Sequence, residues 1–376
     1  MANVVRKLNL RFNEDKTFCI AIGSVKQRRR IQEELDIQPL LCGNFETKLK
    51  DSFKWLGQTL SSGGLAESVA STVAAREGKI RGACLEITAI VNDWRSHLVG
   101  GMETALLLWE ACCVPSLLHG AGTWTNIAAA TVKKLNQIRN WFLRLVLQVG
   151  PGAPLVSLSW DSSVLDMGLR VHLEKILMVL HLRSLNQDTL ASQVYIEQKT
   201  NKWPGLAEET HSICEELGIE DCNITQKDRV SYKKSAIAAC HKKNEEYMRR
   251  LAKGKCERIN HEEYGMKEYL RKKSIHNIRQ QYRTRFGLQR FAGNYSNDKQ
   301  FARTGWLCRC KMAREEEGHL MSGQCTVYGD LTEKYSDLTD IESLIQFFND
   351  VLERRDILDK EDKQNPVGGG DHQRLC

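Results

Sequence analysis

No stretch of this sequence approaches the roughly 18 uninterrupted apolar residues of a membrane-spanning helix. Its richest run, ALLLWEACCVPSLLHGAGTW, is broken by Glu110 and Pro115. The N-terminus lacks the charged, apolar and small-residue succession of a secretory signal. Neither G-x-x-x-x-G-K-[ST] nor G-x-S-x-G occurs, so the phosphate-cradling loop and the strained nucleophile turn are both missing. No internal repeat is present. The cysteines do not form a secreted disulfide pattern: 13 are spread over the whole chain, and Cys112 and Cys113 are adjacent. An odd, scattered set fits reduced thiols in an intracellular protein, nuclear or cytoplasmic. His97, His119, His172 and His181 lie on or beside helical segments without a consistent nucleophile partner, and read as structural.

Against these absences stands one dense cluster. WLCRCKMAREEEGHLMSGQC places Cys308, Cys310, His319 and Cys325 in the spacing C-x-C-x8-H-x5-C. Three thiolates and one imidazole form a donor set that tetrahedral zinc accepts. The single residue between the first two cysteines is tighter than the usual two to four, so a group of free thiols beside an exposed His is the competing reading.

Charge is also unevenly placed. Residues Lys227 to Arg303 hold 21 Lys or Arg against 8 Asp or Glu, a net of +13, and the rest of the chain carries −6 of the overall +7. A basic block on helix-forming sequence is the electrostatic footprint of phosphate-backbone contact. Its candidates are Lys233, Lys234, Lys242, Lys243, Arg249, Arg250, Arg271, Lys272, Lys273, Arg279, Arg283 and Arg285. Tyr232, Tyr247, Tyr264, Tyr269 and Tyr282 are interleaved with them, either to stack on unpaired bases or to pack on the apolar sides of the helices. A solvated helical surface is the alternative for the cations.

The pattern along the chain predicts a mainly α protein with a small α+β N-terminal part. KTFCIAIG and DSFKWLGQTLSSGG read as strands, and residues 1–60 as strands and turns. Helices follow from Gly64, with Met102–Gly120 apolar on more than one face and therefore central. A stripe of Val132, Leu135, Ile138, Phe142, Leu145 and Val146 marks another helix. Ser162 and Ser163 are candidate N-caps for the next. A boundary is expected near 200–225, then two basic helices at Lys227–Ala252 and Glu262–Phe286. The cysteine cluster follows, with a helix around Asp340–Arg355 and an unstructured polar tail. The expected divisions are 1–64, 65–200, 201–303, 304–336 and 337–376.

The order of these pieces resembles the C-terminal part of reverse transcriptases from non-LTR (LINE-type) retrotransposons, over about residues 5–355. LNLRFNEDKT, with Asn13, Lys16 and Thr17, is similar to the segment after the catalytic turn. FKWLG resembles the short hairpin that grips the primer end. GKIRGACLEIT, VPSLLHGAGTW and LNQIRNWFLRLVL resemble the thumb, and DMGLRVHLEKILMVLHLRSL the connector. WLCRCKMAREEEGHLMSGQCTVYGDL looks like the CCHC zinc knuckle. The resemblance implies a remnant of the palm, a helical thumb-like bundle, a basic helical connector and a small zinc knuckle with structural zinc on Cys308, Cys310, His319 and Cys325. It adds Lys16, Phe53, Lys54, Trp55 and Gly57 as nucleic-acid contacts. Lys16 equally fits a solvated turn, and Gly57 an ordinary hairpin turn.

Polymerisation in that family needs paired carboxylates holding two magnesium ions. The chain has no Asp-Asp dipeptide, and its first residues already correspond to sequence after that turn. Magnesium therefore belongs to the full-length family enzyme, and this chain alone is expected to be inactive as a polymerase. Asp330, Asp337, Asp340 and Glu342 do not form a recognisable nuclease pattern either. The expectation is a truncated reverse-transcriptase polypeptide that binds RNA and DNA, as element RNA and template–primer duplex. The alternatives are a cellular zinc-containing nucleic-acid adaptor and a helical scaffold with an acidic protein partner.

Overall fold

The structure, a computed structural model, describes residues 17–42, 45–93, 101–219, 229–253, 263–289, 291, 307–335 and 337–364. Lys16 lies outside them, as do residues 365–376 of the tail. The chain is mainly helical, and among the described residues no helix is long and apolar enough to cross a membrane. It divides into two compact units that interleave along the sequence. The first comprises residues 1–90, 105–142 and 163–250, and the second 91–104, 143–162 and 251–376. The linear divisions read from the sequence therefore do not coincide with the units. The boundary expected near 200–225 falls inside the first.

The first unit begins with three two-stranded sheets. β1 (Phe18–Cys19) pairs parallel with β4 (Lys48–Leu49), β2 (Leu41–Cys42) antiparallel with β3 (Phe45–Glu46), and β5 (Ser52–Trp55) antiparallel with β6 (Gln58–Ser61). Within residues 1–60, read as strands and turns, lies a 13-residue helix, α1 (Val25–Ile37). It has no buried residue, so hydrophobic periodicity cannot announce it. Local contacts hold it instead. Ser24 and Gln27 close a capping box, and Arg29–Glu33 and Arg30–Glu34 pair at four-residue steps.

The β5–β6 hairpin turns through Leu56 (φ 46°) and Gly57 (φ 80°), both left-handed, which matches the strand twist in two-residue turns and favours glycine. It docks on α2 (Leu65–Asn92), where Thr72 Oγ1 and Ser68 Oγ accept from the backbone N–H groups of Thr59 and Ser61, each at 2.8 Å. Helix α2 buries Val69, Val73, Ile80, Cys84 and Ile87 at three-, four- and seven-residue steps.

The segment expected to be central runs as α3 (Gly101–Leu108), a wide π-turn (Trp109–Cys113) and α4 (Val114–Leu117). Pro115 near the start of α4 has no N–H to continue a regular ladder, and the N–H of Val114 reaches back to the carbonyl of Trp109. Trp109, Cys113, Val114 and Leu117 are buried, and Trp109 stacks on Phe142 with centroids 4.8 Å apart.

Phe142 belongs to α5 (Ala129–Leu147), whose predicted stripe is buried at Leu135, Ile138, Phe142 and Val146. Next come the short α6 (Leu155–Trp160) and then α7 (Met167–Ser184), capped by Asp166 rather than by Ser162 or Ser163. The Asp166 side chain accepts from the N–H of Gly168 at 2.7 Å, one position before the helix proper. Gly122 lies so close to α7 that an added Cβ would meet Met178 Cβ at 2.7 Å.

α8 (Leu190–Thr200) and α9 (Leu206–Leu217) stay with α7 in the first unit. Helix α9 is acidic, yet it buries Leu206, Ile213 and Cys214, and Glu209 meets the buried Lys175 of α7 at 2.5 Å. That apolar stripe is why no boundary falls there. α10 (Arg229–Ala252) closes the unit.

In the second unit, the helix expected over Glu262–Phe286 is two helices. α11 (Glu268–Lys272) ends where Lys273 becomes extended, and Ser274 caps α12 (Ile275–Arg285). Asp161, fully buried beyond α6, accepts from Tyr269 Oη at 2.7 Å and Arg285 Nε at 2.8 Å. Short helices α13 (Glu317–Met321) and α14 (Gly329–Lys334) precede α15 (Ile341–Gln364), which extends past the expected end at Arg355. A small apolar core unites Phe291, Leu320, Tyr328, Leu331, Leu344, Phe347, Phe348 and Val351.

Candidate metal centre

Cys308, Cys310, His319 and Cys325 meet in the second unit, with their ligand atoms all within 4.8 Å of one another. The first two come from a tight turn. Leu307 and Arg314 form an antiparallel bridge, Cys308 N–H donates to the Ala313 carbonyl at 2.8 Å, and Lys311 turns the chain through φ 61°. That reversal is how one intervening residue suffices. His319 lies on α13, where Leu320 is buried in the core, and Cys325 is fixed by the Gly329 N–H on its carbonyl at 2.7 Å.

The spacing suits a metal ion. Ideal tetrahedral zinc, with Zn–S of about 2.3 Å and Zn–N of about 2.1 Å, separates sulfurs by roughly 3.8 Å and sulfur from nitrogen by roughly 3.6 Å. Cys308 and Cys325 sulfurs stand 3.6 Å apart, and Cys310 Sγ is 3.2 Å from His319 Nε2. A sulfur pair at 3.6 Å is far beyond the roughly 2.05 Å of a disulfide bond. The four side chains could therefore hold a metal ion.

Electrostatics within the cluster are uneven. Burial pushes the Cys308 thiol well above its ordinary value, and the Cys325 thiol adds to the rise. Burial would raise Cys310 too, but the Met312 N–H (3.4 Å from its sulfur) and the neighbouring thiols bring it below the ordinary value. A divalent cation would displace the thiol protons, as thiolate is the liganding form.

Two ligands belong to the core. Cys308 and Cys325 are buried in one cluster with Phe347, Phe348 and Val351 of α15. Three arginines tie the same helix to the liganding segment. Arg355 meets the buried Glu315 at 3.1 Å, Arg354 clasps Asp330 through both terminal nitrogens and reaches the Val327 carbonyl at 3.0 Å, and Arg309 pairs with Asp359. None of these partners is recognisable from ligand spacing, because each joins residues tens of positions apart.

The basic candidates divide sharply. On α10, Ala236, Cys240, Asn244 and Met248 form the buried stripe at four-residue steps, while Lys233, Lys234, Lys242 and Arg250 are exposed and have no acidic partner among the described residues. Lys243 pairs with Glu216 at 3.4 Å, and Arg249 with Glu245 at 2.7 Å.

In the second unit most cations are engaged. Arg271 faces Glu103 at 3.8 Å, Lys272 pairs with Glu268, and Lys273 with Glu342 at 3.4 Å. Arg283 donates to the Gln148 carbonyl at 2.7 Å, and Arg285 to Asp161. Arg279 is buried, with its guanidinium on the Val146 carbonyl and on Asn92 Oδ1 at 2.5 Å; burial and nearby Arg283 bring it down to about 10. Tyr269 and Tyr282 are buried in the packing, and Tyr247 is exposed.

At the hairpin, Phe53 is half-buried and Lys54 and Trp55 are exposed. Sequence reasoning missed the residues that hold its tip. Arg76 donates to three carbonyls, those of Gly57 (2.8 Å), Leu117 (3.0 Å) and His119 (2.9 Å), and the His119 ring lies 3.2 Å from the Leu56 carbonyl. Compared with protein-family models, curated proteins and solved structures, the chain matches none of them.

Proposed function

We propose that this chain is a nucleic-acid-binding polypeptide of retrotransposon reverse-transcriptase type, stabilised by one structural zinc ion and without polymerase activity of its own. The observation that carries the binding is the solvent side of α10, where Lys233, Lys234, Lys242 and Arg250 stand exposed without acidic partners among the described residues. Cations in that state neutralise phosphates without first breaking an ion pair. The order of motifs in the sequence supports the family, with the exposed Trp55 at the end of β5 and Leu56 in the turn, at a hairpin tip held by Arg76, as a further contact for a strand end.

Zinc is the ion favoured by three thiolates and an imidazole, and its part is structural. Four protein ligands leave no open position for a substrate. It would cross-link the turn bearing Cys308 and Cys310 to α13 and Cys325, a segment otherwise held by a small core. Fluorescence anisotropy with single-stranded RNA and duplex DNA across a salt series tests the binding. Affinity should fall steeply with salt, with a log–log slope of roughly −0.7 to −0.9 per phosphate neutralised. Salt-independent binding, or none, would leave the scaffold reading in its place.

A further inference from the structure

In the first unit a cleft of about 290 Å³ opens between α1 and the segment joining β4 to β5. Arg28, Arg29 and Lys50 line it against a single carboxylate, Asp51, with Leu49 as part of an apolar wall. Ser62 Oγ accepts from an Arg28 terminal nitrogen and donates to Asp51 Oδ1 at 3.5 Å. Asp51 is thus directed at a hydroxyl, and Arg28 is anchored at one end. The Nε–H of Arg28 is buried and has no acceptor. A guanidinium N–H without an acceptor leaves a hydrogen bond that a bound anion would supply.

The chemistry of the wall selects among anions. Arg28, Arg29 and Lys50 outweigh Asp51, and this positive surplus, part of it shared by Arg29 with Glu33, suits a phosphomonoester near neutral pH. Guanidinium presents its donors as a planar fork that matches phosphate oxygens, and an ammonium adds a point charge. The Lys50 ammonium is held 4.1 Å from the Phe18 ring centroid. Arg29 already carries an exposed pair with Glu33, so Arg28 and Lys50 are the main anchors. The volume is at the lower end of small-ligand sites, enough for phosphate and a compact group such as a sugar.

We propose that this cleft binds the phosphomonoester group of a nucleotide or of a nucleic-acid strand end, with Arg28 and Lys50 as its anion-binding residues. The site is independent of the cysteine cluster and of the α10 face. Isothermal titration of the full chain with inorganic phosphate, AMP and adenosine tests it. AMP and phosphate should bind saturably at one site, and adenosine should not. Arg28→Gln should weaken AMP binding about tenfold and Lys50→Ala about threefold. Arg28→Lys, which keeps the charge, should lie between Arg28→Gln and the parent, with circular dichroism confirming the fold of each variant.

Oligonucleotides with and without a 5′-phosphate, measured in the Lys233/Lys234/Lys242→Ala background, identify the source. A preference for the phosphorylated strand over AMP assigns the site to strand ends, and equal affinity assigns it to free nucleotides. Adenosine binding as tightly as AMP, no saturable binding at millimolar phosphate and AMP, or unchanged affinity in folded Arg28→Gln and Lys50→Ala would each overturn the proposal.

Discussion

Arg279 donates its Nε–H to the Val146 carbonyl at 2.7 Å, joining residues 133 positions apart in the sequence. Its terminal nitrogen holds Asn92 at the same time. A cation placed like this is a structural member of the second unit. Replacing Arg279 with Ala should cost about 2–3 kcal/mol, because it strands the buried Val146 carbonyl and opens a void, while the exposed Asn92 can turn to solvent. Urea unfolding measures the loss. The salt slope of nucleic-acid binding should stay unchanged in any Arg279→Ala protein that remains folded.

The exposed cations of α10 give the opposite expectation. Changing Lys233, Lys234 and Lys242 together to Ala should leave stability within about 0.5 kcal/mol and flatten the salt slope by up to about two units. Arg271, Lys272 and Lys273 changed together should flatten it less, since Glu103, Glu268 and Glu342 compete with phosphate for them. Equal effects of the two triples would show that these exposed pairs impose no barrier, as weak surface pairs often do not.

Freshly prepared, reduced protein should contain about one equivalent of zinc by elemental analysis, as expected of a closed four-ligand site. Cys308→Ser and Cys325→Ser should abolish it and raise amide exchange in α15, since both sulfurs share a core with Phe347, Phe348 and Val351. Metal-free protein with unaltered exchange in α15 would detach the ion from the fold.

Two imidazoles contribute to the pH dependence of the first unit, against an opposing contribution from Glu110, whose carboxyl pKa is raised by burial. Burial, then Lys175, lowers the pKa of His172; burial, then Arg170, lowers that of His241. An unfolded imidazole titrates near 6.5. Because the folded forms bind a proton less readily, their stability contribution is complete above that value and is lost as pH falls below it. Thermal midpoints should therefore drop between about pH 7 and pH 5. His172→Gln with His241→Gln should flatten that drop, and a parallel pH profile in the double variant would remove these two groups from the account.

Primer extension by the pure chain with magnesium and deoxynucleotides should stay at background. No Asp-Asp pair is present to hold the two ions that clamp attacking and leaving oxygens. Template-dependent extension would mean that carboxylates from elsewhere in the chain assemble such a site.

Features decided within a few residues are legible in the sequence. The ligand spacing, the Leu56–Gly57 turn and the stripes of α2 and α5 are of this kind. α1 escapes because its signal is not apolar; a capping box and pairs such as Arg29–Glu33 carry it. The basic block is visible as a count, but a count cannot separate Lys242, open to solvent, from Arg285, held on a buried Asp161. That distinction depends on residues more than a hundred positions away. The clasp of Arg354 on Asp330 and the Arg76 contact at Gly57, 24 and 19 positions apart, are hidden too, because they lie beyond the reach of local spacing.

The interleaving of the two units sets a limit on how the molecule can be dissected. The chain passes from one to the other after residues 90, 104, 142, 162 and 250, so any continuous fragment that contains one unit whole also carries parts of the other. A piece cut at 251 would keep the four metal ligands but forfeit residues 143–162. With them go Asp161, which anchors Tyr269 and Arg285, and the Val146 carbonyl that seats Arg279. Such a piece would leave Tyr269 and Arg279 without the acceptors that seat them. Helices α11 and α12 and the acceptors that seat them are thus drawn from separate stretches of sequence, whereas the metal ligands and their apolar core share one.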